Sequence, residues 1–519
     1  MPNSRQISDQ QEEIYTDAPM TGTIMIAGPP GTGKTVIAFL RGRVLNKRNK
    51  SAKVLMYSRV LQQYTSNVAQ NSDSGVKSST LLSWIHKWWK DHEIKTTVSL
   101  ENKTARLYLE CSFDQKDEVK ALGAQWDKAS KKWYVTDAVY KSKEKAITPW
   151  LADPNADFEQ PSGRVYLECS FHQKDEVKAL GAQWDKAFKK WYVTDQVYNL
   201  AKDKFTDWLC STELTAEGNK VDKEDFNPPK LSDYNYDWEQ MLEKMAVRLA
   251  DNKAVNDWGH LIVDEAQDFS NNMFSFFRFV SLAMDNGGMT IMADENQRLN
   301  ETDNSSIKEI KDALAIKDNH FYLLTENFRN TLEIAILAAH FYVGLPTGIP
   351  TMPKVRGDRP EIYQAASLSQ QIDYIVKSLK IRGYGEVGVF AQNDGMRQKL
   401  FNKLEHRLKG TQYRIQSYSS KKGKEYPAEK LVFDKAGTVT VINRQSCKGL
   451  EFDAVFIPEI QAMPIDESNL DSFKMNMYVM CSRARKALCI LYSSTGAETP
   501  EIINYLPAKN SGIMDYTNE

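Results

Sequence analysis

One segment near the start of the chain has the residue types and spacing of a phosphate-binding loop. The sequence GPPGTGKT, residues 28–35, fits the pattern G-x-x-x-x-G-K-[ST], follows the apolar run TIMIA and precedes a helix-compatible stretch. Glycines in such a loop let backbone N–H groups approach phosphate oxygens, while the lysine reaches the β and γ phosphates and the hydroxyl ligates Mg²⁺. We therefore expect ATP and Mg²⁺ to bind at Gly28, Gly31, Gly33, Lys34 and Thr35.

A second segment places two adjacent carboxylates directly after an apolar run. In LIVDEAQD, residues 261–268, these are Asp264 and Glu265. Ligands of open α/β sheets bind at the carboxyl ends of the strands. Asp264 is suited to hold Mg²⁺, usually through water, and Glu265 to orient and deprotonate an attacking water. Together with the phosphate loop, the pair indicates nucleotide hydrolysis.

Short apolar runs separated by helix-length segments show which elements must position these residues. Besides TIMIA at 23–27 and VLMY at 54–57, we predict strands at His260–Val263, Thr290–Ala293, Tyr322–Leu324, Glu386–Ala391, Thr438–Ile442, Ala454–Ile457 and Leu488–Tyr492. The proline-rich stretch 345–360 is predicted to be a loop. Such alternation predicts an α/β fold, with parallel sheets covered by helices on both faces.

Seven further segments, in order along the chain, resemble the motifs of superfamily 1 helicases of the UvrD/Rep-like group. They are ISDQQEEIY (7–15), VLMYSRVLQQY (54–64), STLLSWIHKWW (79–89), ADENQRL (293–299), LLTENFRN (323–330), SCKGLEFDAVFI (446–457) and MYVMCSRARKAL (477–488). The resemblance implies two RecA-like P-loop NTPase domains, with a small α+β insertion that carries a tandem repeat. The implied divisions are 1–89 and 258–325 for the first domain, 90–257 for the insertion and 326–519 for the second domain.

The same resemblance implies nucleotide contacts outside the phosphate loop. Gln11 is similar to an adenine-reading glutamine, with Gln10 a near-equal candidate, and Gln297 to a residue that links the γ-phosphate to nucleic acid. The remaining implied contacts are Gly449 and Glu451 near the nucleotide, and Arg329 and Arg483 at the γ-phosphate. An arginine at the γ-phosphate raises the rate of hydrolysis by roughly 10³ to 10⁵. Hydrolysis would then require the two sheets to close, and closing once per ATP would drive stepping along a strand.

Two of the similar segments also supply candidates for contact with single-stranded nucleic acid. Aromatic faces stack on bases irrespective of sequence, and hydroxyl groups donate to phosphates. Each aromatic candidate, taken singly, is more typical of a core position. The candidates are Tyr57, Thr80, Ser83, Trp84, His86 and Trp88.

An internal repeat lies inside the predicted insertion. Arg106 to Asp137 recurs as Arg164 to Asp195 with only three changes. Each copy predicts a strand, a helix opened by a capping box at Ser112 or Ser170, and a hairpin with two tryptophans flanking a lysine-bearing turn. One interpretation makes these tryptophans the core of a small unit. The other assigns an exposed tryptophan and lysines to nucleic-acid contact. The repeat also resembles a short domain of unknown function found in proteins of plasmid and phage DNA metabolism.

Composition limits the remaining alternatives. The chain has 67 Lys+Arg against 68 Asp+Glu, so any nucleic-acid contact requires positive charge segregated into a groove across the two sheets. We find no membrane span, no signal peptide and no C-x-x-C pair, which favours a cytoplasmic protein with free thiols.

We predict an ATP-dependent translocase or helicase that acts on single-stranded DNA or tailed duplexes, with 3′ to 5′ polarity implied by the resemblance alone. The alternative is a DNA-sensing ATPase switch, for example in anti-phage defence, that binds DNA and a partner protein without unwinding. RNA stays open as a ligand, and the repeats could bind a partner protein.

Overall fold

The computed structural model describes residues 7–71, 75–94, 96–97, 106–111, 115–127, 132–151, 164–167, 169, 173–185, 190–194, 198, 205, 208, 224–232, 235–297, 304–465, 470–494 and 499–518. The chain divides into two compact units. One combines Met1–Trp88 with Met245–Glu519, and the other covers Trp89–Lys244. Within the described ranges, no helix is long and apolar enough to cross a membrane.

Residues before the second unit alternate between strands and helices. The elements are α1 (Asp9–Thr16), β1 (Thr23–Ala27), α2 (Lys34–Lys47), β2 (Ala52–Met56), α3 (Arg59–Asn71), β3 (Lys77–Thr80) and α4 (Leu81–Asp91). A reciprocal capping box between Ser8 and Gln11 satisfies N–H groups at the start of α1. The run TIMIA is buried in β1, as its apolar composition predicts.

The second unit contains both repeats and several short strands. Its elements are β4 (Thr96–Thr97), β5 (Arg106–Leu109), α5 (Lys116–Ala121), β6 (Gln125–Asp127), β7 (Lys132–Thr136), α6 (Asp137–Ile147), β8 (Arg164–Leu167), α7 (Lys174–Ala179), β9 (Gln183–Asp185), β10 (Lys190–Thr194), β11 (Glu224–Asp225), β12 (Lys230–Ser232) and β13 (Asn235–Tyr236). The next helix, α8 (Trp238–Ala250), continues into the first unit. Each repeat forms a three-stranded antiparallel sheet, in the orders β5-β7-β6 and β8-β10-β9.

The predicted capping boxes at Ser112 and Ser170 lie outside the described residues, and the described helices α5 and α7 follow Gln115 and Gln173, neither of which makes a side-chain cap. One expectation for the repeats needs correction, because the tryptophans are not the buried centre. Aliphatic side chains from β5, α5 and β7 fill the centre, because every second residue of the two strands points toward the helix. Trp126 stays half exposed.

The first sheet is completed after the second unit. Its later elements are β14 (Gly259–Val263), α9 (Asn271–Ser281), β15 (Gly287–Ala293), α10 (Ile307–Leu314) and β16 (Phe321–Leu323). All six strands are parallel, in the order β16-β1-β15-β14-β2-β3. The carboxyl ends of β1, β14 and β15 are therefore neighbours, which brings the phosphate loop beside the acidic pair.

The second sheet contains seven parallel strands, in the order β19-β20-β18-β21-β22-β17-β23. Its elements are α11 (Leu332–His340), β17 (Glu361–Ala365), α12 (Leu368–Arg382), β18 (Glu386–Ala391), α13 (Asp394–Leu408), β19 (Arg414–Ser417), β20 (Thr438–Asn443), β21 (Phe452–Ile457), α14 (Leu470–Cys481), β22 (Ala484–Ser493) and β23 (Asp515–Asn518). An apolar core covers each face. The predicted α/β fold with parallel, helix-covered sheets is thus confirmed, and residues 345–360 lack regular strands or helices as predicted.

A buried arginine joins α1 to the first sheet. Arg41 on α2 donates from Nε to Thr290 Oγ1 at 2.9 Å and from Nη1 to the carbonyls of Ile14 and Ala18, each at 3.2 Å. Its Nη2 donates to the carbonyl of Pro19. Burial lowers the pKa of Arg41 to about 10, so the guanidinium stays charged at neutral pH. It supplies the donors that the chain needs after α1 ends.

We expect Arg41→Met to destabilise the fold by roughly 3 kcal/mol, because three buried carbonyls and one hydroxyl lose their donor. Urea unfolding followed by circular dichroism measures the loss. Arg43→Met, on the exposed side of the same helix, is the matched control and should change stability by less than about 0.5 kcal/mol. Equal stability of the two variants would contradict a structural role for Arg41.

Candidate functional site

The loop between β1 and α2 has a backbone that requires glycine. Gly33 has φ +81° and forms the N-cap of α2, and Gly31 has φ +83°. A Cβ on Gly31 would lie 2.5 Å from Asn327 Oδ1, and a Cβ on Gly28 would lie 2.8 Å from the carbonyl oxygen of Leu324. Side chains at these positions would therefore strain the loop or displace its neighbours. The loop curves around the amino end of α2, where N–H groups point outward.

The ammonium of Lys34 lies inside this curve. Its Nζ donates to the carbonyls of Gly28 at 2.5 Å and Pro29 at 3.0 Å, and it lies 3.7 Å from Asp294 Oδ2. Burial lowers the pKa of Lys34, while Asp294 and the two carboxylates of β14 act in the opposite direction. The lysine is thus held within the loop by neutral carbonyls, close to three acids.

The two candidate glutamines on α1 occupy different places. Gln11 is buried and donates from Nε2 to the carbonyl of Thr32 in the loop, at 2.9 Å. Gln10 instead bonds the backbone at the end of β16, donating to Leu323 and accepting from Thr325. Of the pair, Gln11 is the residue that the structure places against the phosphate loop.

Asp264 and Glu265 follow β14 at the same edge of the sheet. The hydroxyl of Thr35 donates to Asp264 Oδ2 at 2.8 Å. Burial and the neighbouring Glu265 raise the pKa of Asp264 to about 6. Glu265 has φ +54°, a left-handed conformation that costs a residue other than glycine about 1 to 3 kcal/mol. Such strain persists only where the surrounding structure holds the side chain in place.

A lysine from the second sheet region holds Glu265. Lys448 Nζ lies 3.6 Å from Glu265 Oε2 and 2.6 Å from Asp268 Oδ2, and all three side chains are buried. Gln267 Nε2 also donates to Glu265 Oε2 at 2.7 Å. Burial works against ionisation, yet Lys448 and Lys34 keep the pKa of Glu265 below its usual range. The carboxylate is therefore ionised and fixed.

The segment after β15 also meets the second sheet region. Gln297 donates from Nε2 to Asp294 Oδ2 at 2.6 Å and accepts from Arg483 Nη2 at 2.7 Å. Burial, with a contribution from Arg329, lowers the pKa of Arg483 to about 10. Gln297 thus bridges an acid of the first sheet and an arginine that precedes β22.

Arg329 lies beside the loop and is paired. Its Nη2 donates to Glu451 Oε1 at 2.6 Å and its Nη1 to the carbonyl of Ser482 at 3.2 Å. The adjacent Phe328 N–H donates to the carbonyl of Gly31 at 2.9 Å, which fixes this segment against the loop. Among the described residues, Arg329 Nε is buried without a hydrogen-bond partner. Its guanidinium therefore retains donor capacity.

Gly449 meets the first sheet region away from the loop. It has φ +74°, and a Cβ there would lie 2.5 Å from Leu61 Cδ1 on α3. A glycine is needed here because the two sheet regions pack closely at this position. The structure thus brings together the predicted nucleotide residues Gln11, Gly28, Gly31, Gly33, Lys34, Thr35, Asp264, Glu265, Gln297, Arg329, Glu451 and Arg483, with Gly449 at their border.

Candidates for nucleic-acid contact lie elsewhere, at the ends of β2 and β3. Tyr57 is 41% exposed and packs edge-on against Phe269, with ring centroids 5.4 Å apart. The Thr80 hydroxyl donates to Ser83 Oγ at 2.7 Å and accepts from the Ser83 N–H, so it caps α4. The Tyr57 ring is partly exposed, whereas the Thr80 hydroxyl is bonded to its own helix.

The aromatic candidates on α4 belong to one cluster. Trp88 is 7% exposed, and Trp84 and Trp258 lie within 6.2 Å of it between ring centroids. Burial favours a packing role for Trp88 over base stacking. Trp84 and His86 are only partly buried. Of the three aromatic candidates on α4, Trp84 and His86 therefore remain accessible for stacking, whereas Trp88 does not.

Lys448, Asp268 and Asp294 are site residues that our sequence reasoning missed. Each lies inside a segment that the sequence singles out, SCKGLEFDAVFI, LIVDEAQD or ADENQRL. The signal that could have found Lys448 is a charged residue between apolar ones ahead of a buried strand. Near the loop, Thr35 and Asp264 are the residues that could hold a cation. Elsewhere among the described residues, no group of three or more His, Cys, Asp or Glu side chains could hold a metal ion.

We expect Lys448→Met to destabilise the protein by roughly 3 to 5 kcal/mol at pH 8, because it leaves buried carboxylates without a cation. Burial raises the pKa of Asp268 to about 6 despite Lys448. Below that pH Asp268 takes up a proton, so the deficit of the variant should shrink as the pH falls from 8 to 5. Urea unfolding at both pH values measures it.

Lys486→Met provides the control, because Lys486 is 71% exposed and pairs with Asp453 at 3.2 Å. It should cost less than about 1 kcal/mol at either pH. A Lys448→Met deficit that stays constant between pH 5 and 8 would contradict the assigned ion pairs.

Comparison with known proteins finds similarity over parts of the chain. Residues 106–152 and 164–209 match a domain of unknown function, DUF5710, and these segments contain the two repeats. Two relatives named DNA primase TraC, both from Escherichia coli, are 36% identical over 137 residues and 37% identical over 109 residues. The matches cover 24% and 18% of this chain, but only 13% and 8% of those relatives' lengths.

One solved structure, the C-terminal domain of a possible DNA helicase from Lactobacillus plantarum, is 16% identical. The match covers 36% of this chain and 97% of that domain. Its TM-score of 0.25 is too low to assign a common fold. The chain is therefore similar, over part of its length, to relatives named DNA primase, and two of its segments match DUF5710.

Proposed function

We propose that this protein is an ATP- and Mg²⁺-dependent hydrolase of the superfamily 1 type, with two RecA-like domains, that acts on DNA. The observation that carries the proposal is the meeting of two sheets at one loop. Lys448 and Arg483 come from the second sheet region and contact Asp268, Glu265 and Gln297 of the first. An active site shared in this way can respond to relative movement of its halves.

The residues around the loop fit a nucleotide. The backbone at Gly31 leaves no room for a side chain, Lys34 lies inside the curve, and Arg329 retains a buried donor beside it. Gln11 lies against the loop, where it could read a base. Bound ATP would supply the phosphate bond that is broken, with Mg²⁺ neutralising part of the phosphate charge. Thr35 and Asp264 would hold that cation, since Mg²⁺ needs few protein ligands beside phosphates and water.

Glu265 is suited to act as the general base. It is held in a strained backbone conformation, and Lys448 and Gln267 fix its carboxylate. A fixed carboxylate can orient a water and accept its proton. Arg329 and Arg483 would stabilise charge that develops on the phosphate, and Gln297 joins Arg483 to Asp294. Loss of any one of these contacts would alter the positions of the remaining side chains in the network.

DNA is the proposed substrate because of two independent indications. The named relatives are DNA primases, and the ordered segments resemble motifs that contact single-stranded DNA. Tyr57 has an exposed ring at the end of β2, and Ser83, Trp84 and His86 follow β3 along the same sheet edge. A strand crossing this edge would lie over the first sheet. The polarity 3′ to 5′ rests on the resemblance alone, and a reducing cytoplasm is the proposed location because the described cysteines are free.

We expect single-stranded DNA to stimulate ATP hydrolysis, and Lys34→Ala or Glu265→Gln to reduce the turnover by at least about 10³-fold. Lys34→Ala removes the phosphate-contacting ammonium, while Glu265→Gln keeps the shape and removes the base. Phosphate release with and without a single-stranded oligonucleotide measures the effect. Lys47→Ala, at the exposed other end of α2, is the matched control and should behave as wild type. Turnover unaffected by DNA, in protein free of contaminating ATPase, would contradict the proposal.

A DNA-sensing switch is the second candidate function, and the compact second sheet region favours it. Residues 392–437, between β18 and β20, contain only α13, β19 and one short 3-10 turn as regular helix or strand. The chain therefore lacks at this position a separate subdomain that could act as a wedge or brake on duplex DNA. Such a protein would bind DNA and hydrolyse ATP, yet signal to a partner instead of separating strands.

Strand displacement separates the two functions. We expect the protein to unwind a duplex with a 3′ single-stranded tail and to leave a 5′-tailed duplex intact, as a 3′ to 5′ translocase would. Gel or fluorescence assays with DNA and RNA tails measure polarity and sugar preference together. DNA-stimulated hydrolysis without displacement of either duplex would favour the switch, and displacement only from 5′ tails would reverse the polarity.

A further inference from the structure

The two repeats present the same tryptophan to solvent. Trp126 on β6 and Trp184 on β9 are each 47% exposed. Each faces a partner across the hairpin, Trp133 on β7 or Trp191 on β10, in register. Ring centroids lie 5.6 Å and 5.5 Å apart, with both pairs at 64°. The inner ring thus supports the outer one edge-on and leaves about half of the outer indole open.

Packing of the repeat does not account for the outer ring. The described core of the first copy contains Leu107, Leu109, Val119, Ala124, Val135 and Ile147, with Trp133 packed against it. The corresponding core of the second copy has Trp191 at its edge. Trp126 and Trp184 lie outside both clusters. Since an exposed indole of this size gains little from folding, the outer tryptophans are available for a ligand.

The hairpins that carry these rings are basic. Their sequences are WDKASKKW and WDKAFKKW, each with three lysines and one aspartate between the two tryptophans. Lys132, at the start of β7, is exposed, and its counterpart Lys190 is partly exposed. By strand alternation Lys132 and Lys190 project to the face opposite the tryptophans, at the turn end of each hairpin, where a strand can pass from one face to the other. An exposed ring on a hairpin with this excess of lysines in its sequence complements a polyanion with stacked rings. A single-stranded nucleic acid has both features, and stacking is worth about 1 to 3 kcal/mol per base.

We propose that each repeat binds single-stranded nucleic acid, with Trp126 or Trp184 stacked on a base and Lys132 or Lys190, at the turn end of the same hairpin, contacting the backbone. The inference rests on the proposed function only for the choice of DNA as the first probe, and it requires no ATP. Two such sites in one chain raise the effective concentration of the strand at the second site once the first is filled. The repeats would then hold a strand independently of the nucleotide state.

Anisotropy of a fluorescent oligodeoxythymidine of about 20 nucleotides, titrated with the full chain without nucleotide, tests the stacking. We expect Trp126→Ala with Trp184→Ala to weaken binding by at least about tenfold, since each lost stack costs about fivefold or more. The paired Tyr variants should restore most of the affinity, because a phenol ring also stacks. Thermal unfolding of the Tyr variants checks that the hairpins are intact. Wild-type affinity in the Ala variant would overturn the proposal.

The salt dependence of the same titration tests the lysines. Lys132→Gln with Lys190→Gln should reduce the slope of log K against log salt by roughly 1.4, at about 0.7 per phosphate contact on a single strand. Lys120→Gln with Lys178→Gln is the matched control, because these exposed lysines lie on α5 and α7 of the same repeats. An equal change in both variants would reduce the effect to overall charge and count against the hairpin site.

Photocrosslinking separates the repeats from any strand site on the sheets. An oligonucleotide carrying 5-iododeoxyuridine, or its RNA counterpart, is irradiated with the full chain and the crosslinked peptides are sequenced. We expect crosslinks at Trp126 and Trp184 in wild type and equally in Lys34→Ala, which disables the proposed hydrolysis. Crosslinks confined to residues outside the repeats would overturn the inference and leave the proposed function standing. Crosslinks at the repeats in a protein whose ATP hydrolysis does not respond to DNA would support the inference and contradict the proposed function.

Discussion

The buried contact of Lys448 with Asp268 and Glu265 is the interaction on which the arrangement of the two sheets depends. Isolated charges are costly to bury, so a cation from one sheet region and acids from the other must meet with correct geometry. Arg483 with Gln297 adds a second crossing at the same edge. Both contacts between the sheet regions involve residues next to the loop of residues 28–35. The same contacts therefore fix the relative position of the sheets and the geometry of the candidate site. Any motion that separates the sheets must also break charge pairs at the site.

The same strained corner occurs at the end of a strand in each sheet. Glu265 after β14 and Glu459 after β21 both have φ +54°, each opens a short 3-10 turn, and each is met by a glutamine two residues later. Glu459 also accepts from Gln371 at 2.6 Å, within its own domain. Glu265 is held by Lys448, from the other sheet region. The strain alone therefore does not mark a catalytic residue; its partners distinguish the two corners.

Local patterns predicted much of this architecture, and long-range pairing limited the rest. An apolar run predicts the strand Glu386–Ala391, and the motif of the loop predicts a left-handed glycine at Gly33. Both features depend only on neighbouring residues. Lys448 was missed because its burial depends on acids some 180 residues away in sequence. The core role of Trp88 and the exposure of Trp126 were equally hidden, since a tryptophan has the same local signature in a core and at a rim. The role of a side chain was predictable where a local motif fixes the backbone. It was not predictable where long-range packing determines whether the side chain is buried.

The near-neutral charge of the chain bears on where a polyanion can be held. Of the cations nearest the loop, Lys34, Lys448 and Arg483 are buried and Arg329 is largely enclosed. Each bonds carbonyls, carboxylates or the amide of Gln297. Arg41 and Arg397 are likewise enclosed and paired. These charges are enclosed and paired within the sheet regions, so they contribute little to an external field. A strand must then be attracted by surface lysines elsewhere. Each repeat hairpin has three lysines between its two tryptophans in sequence, and its outer tryptophan is about half exposed. Duplicating such a hairpin would add affinity for a strand, on the proposed role of the repeats, without altering the balance of buried charge around the loop of residues 28–35.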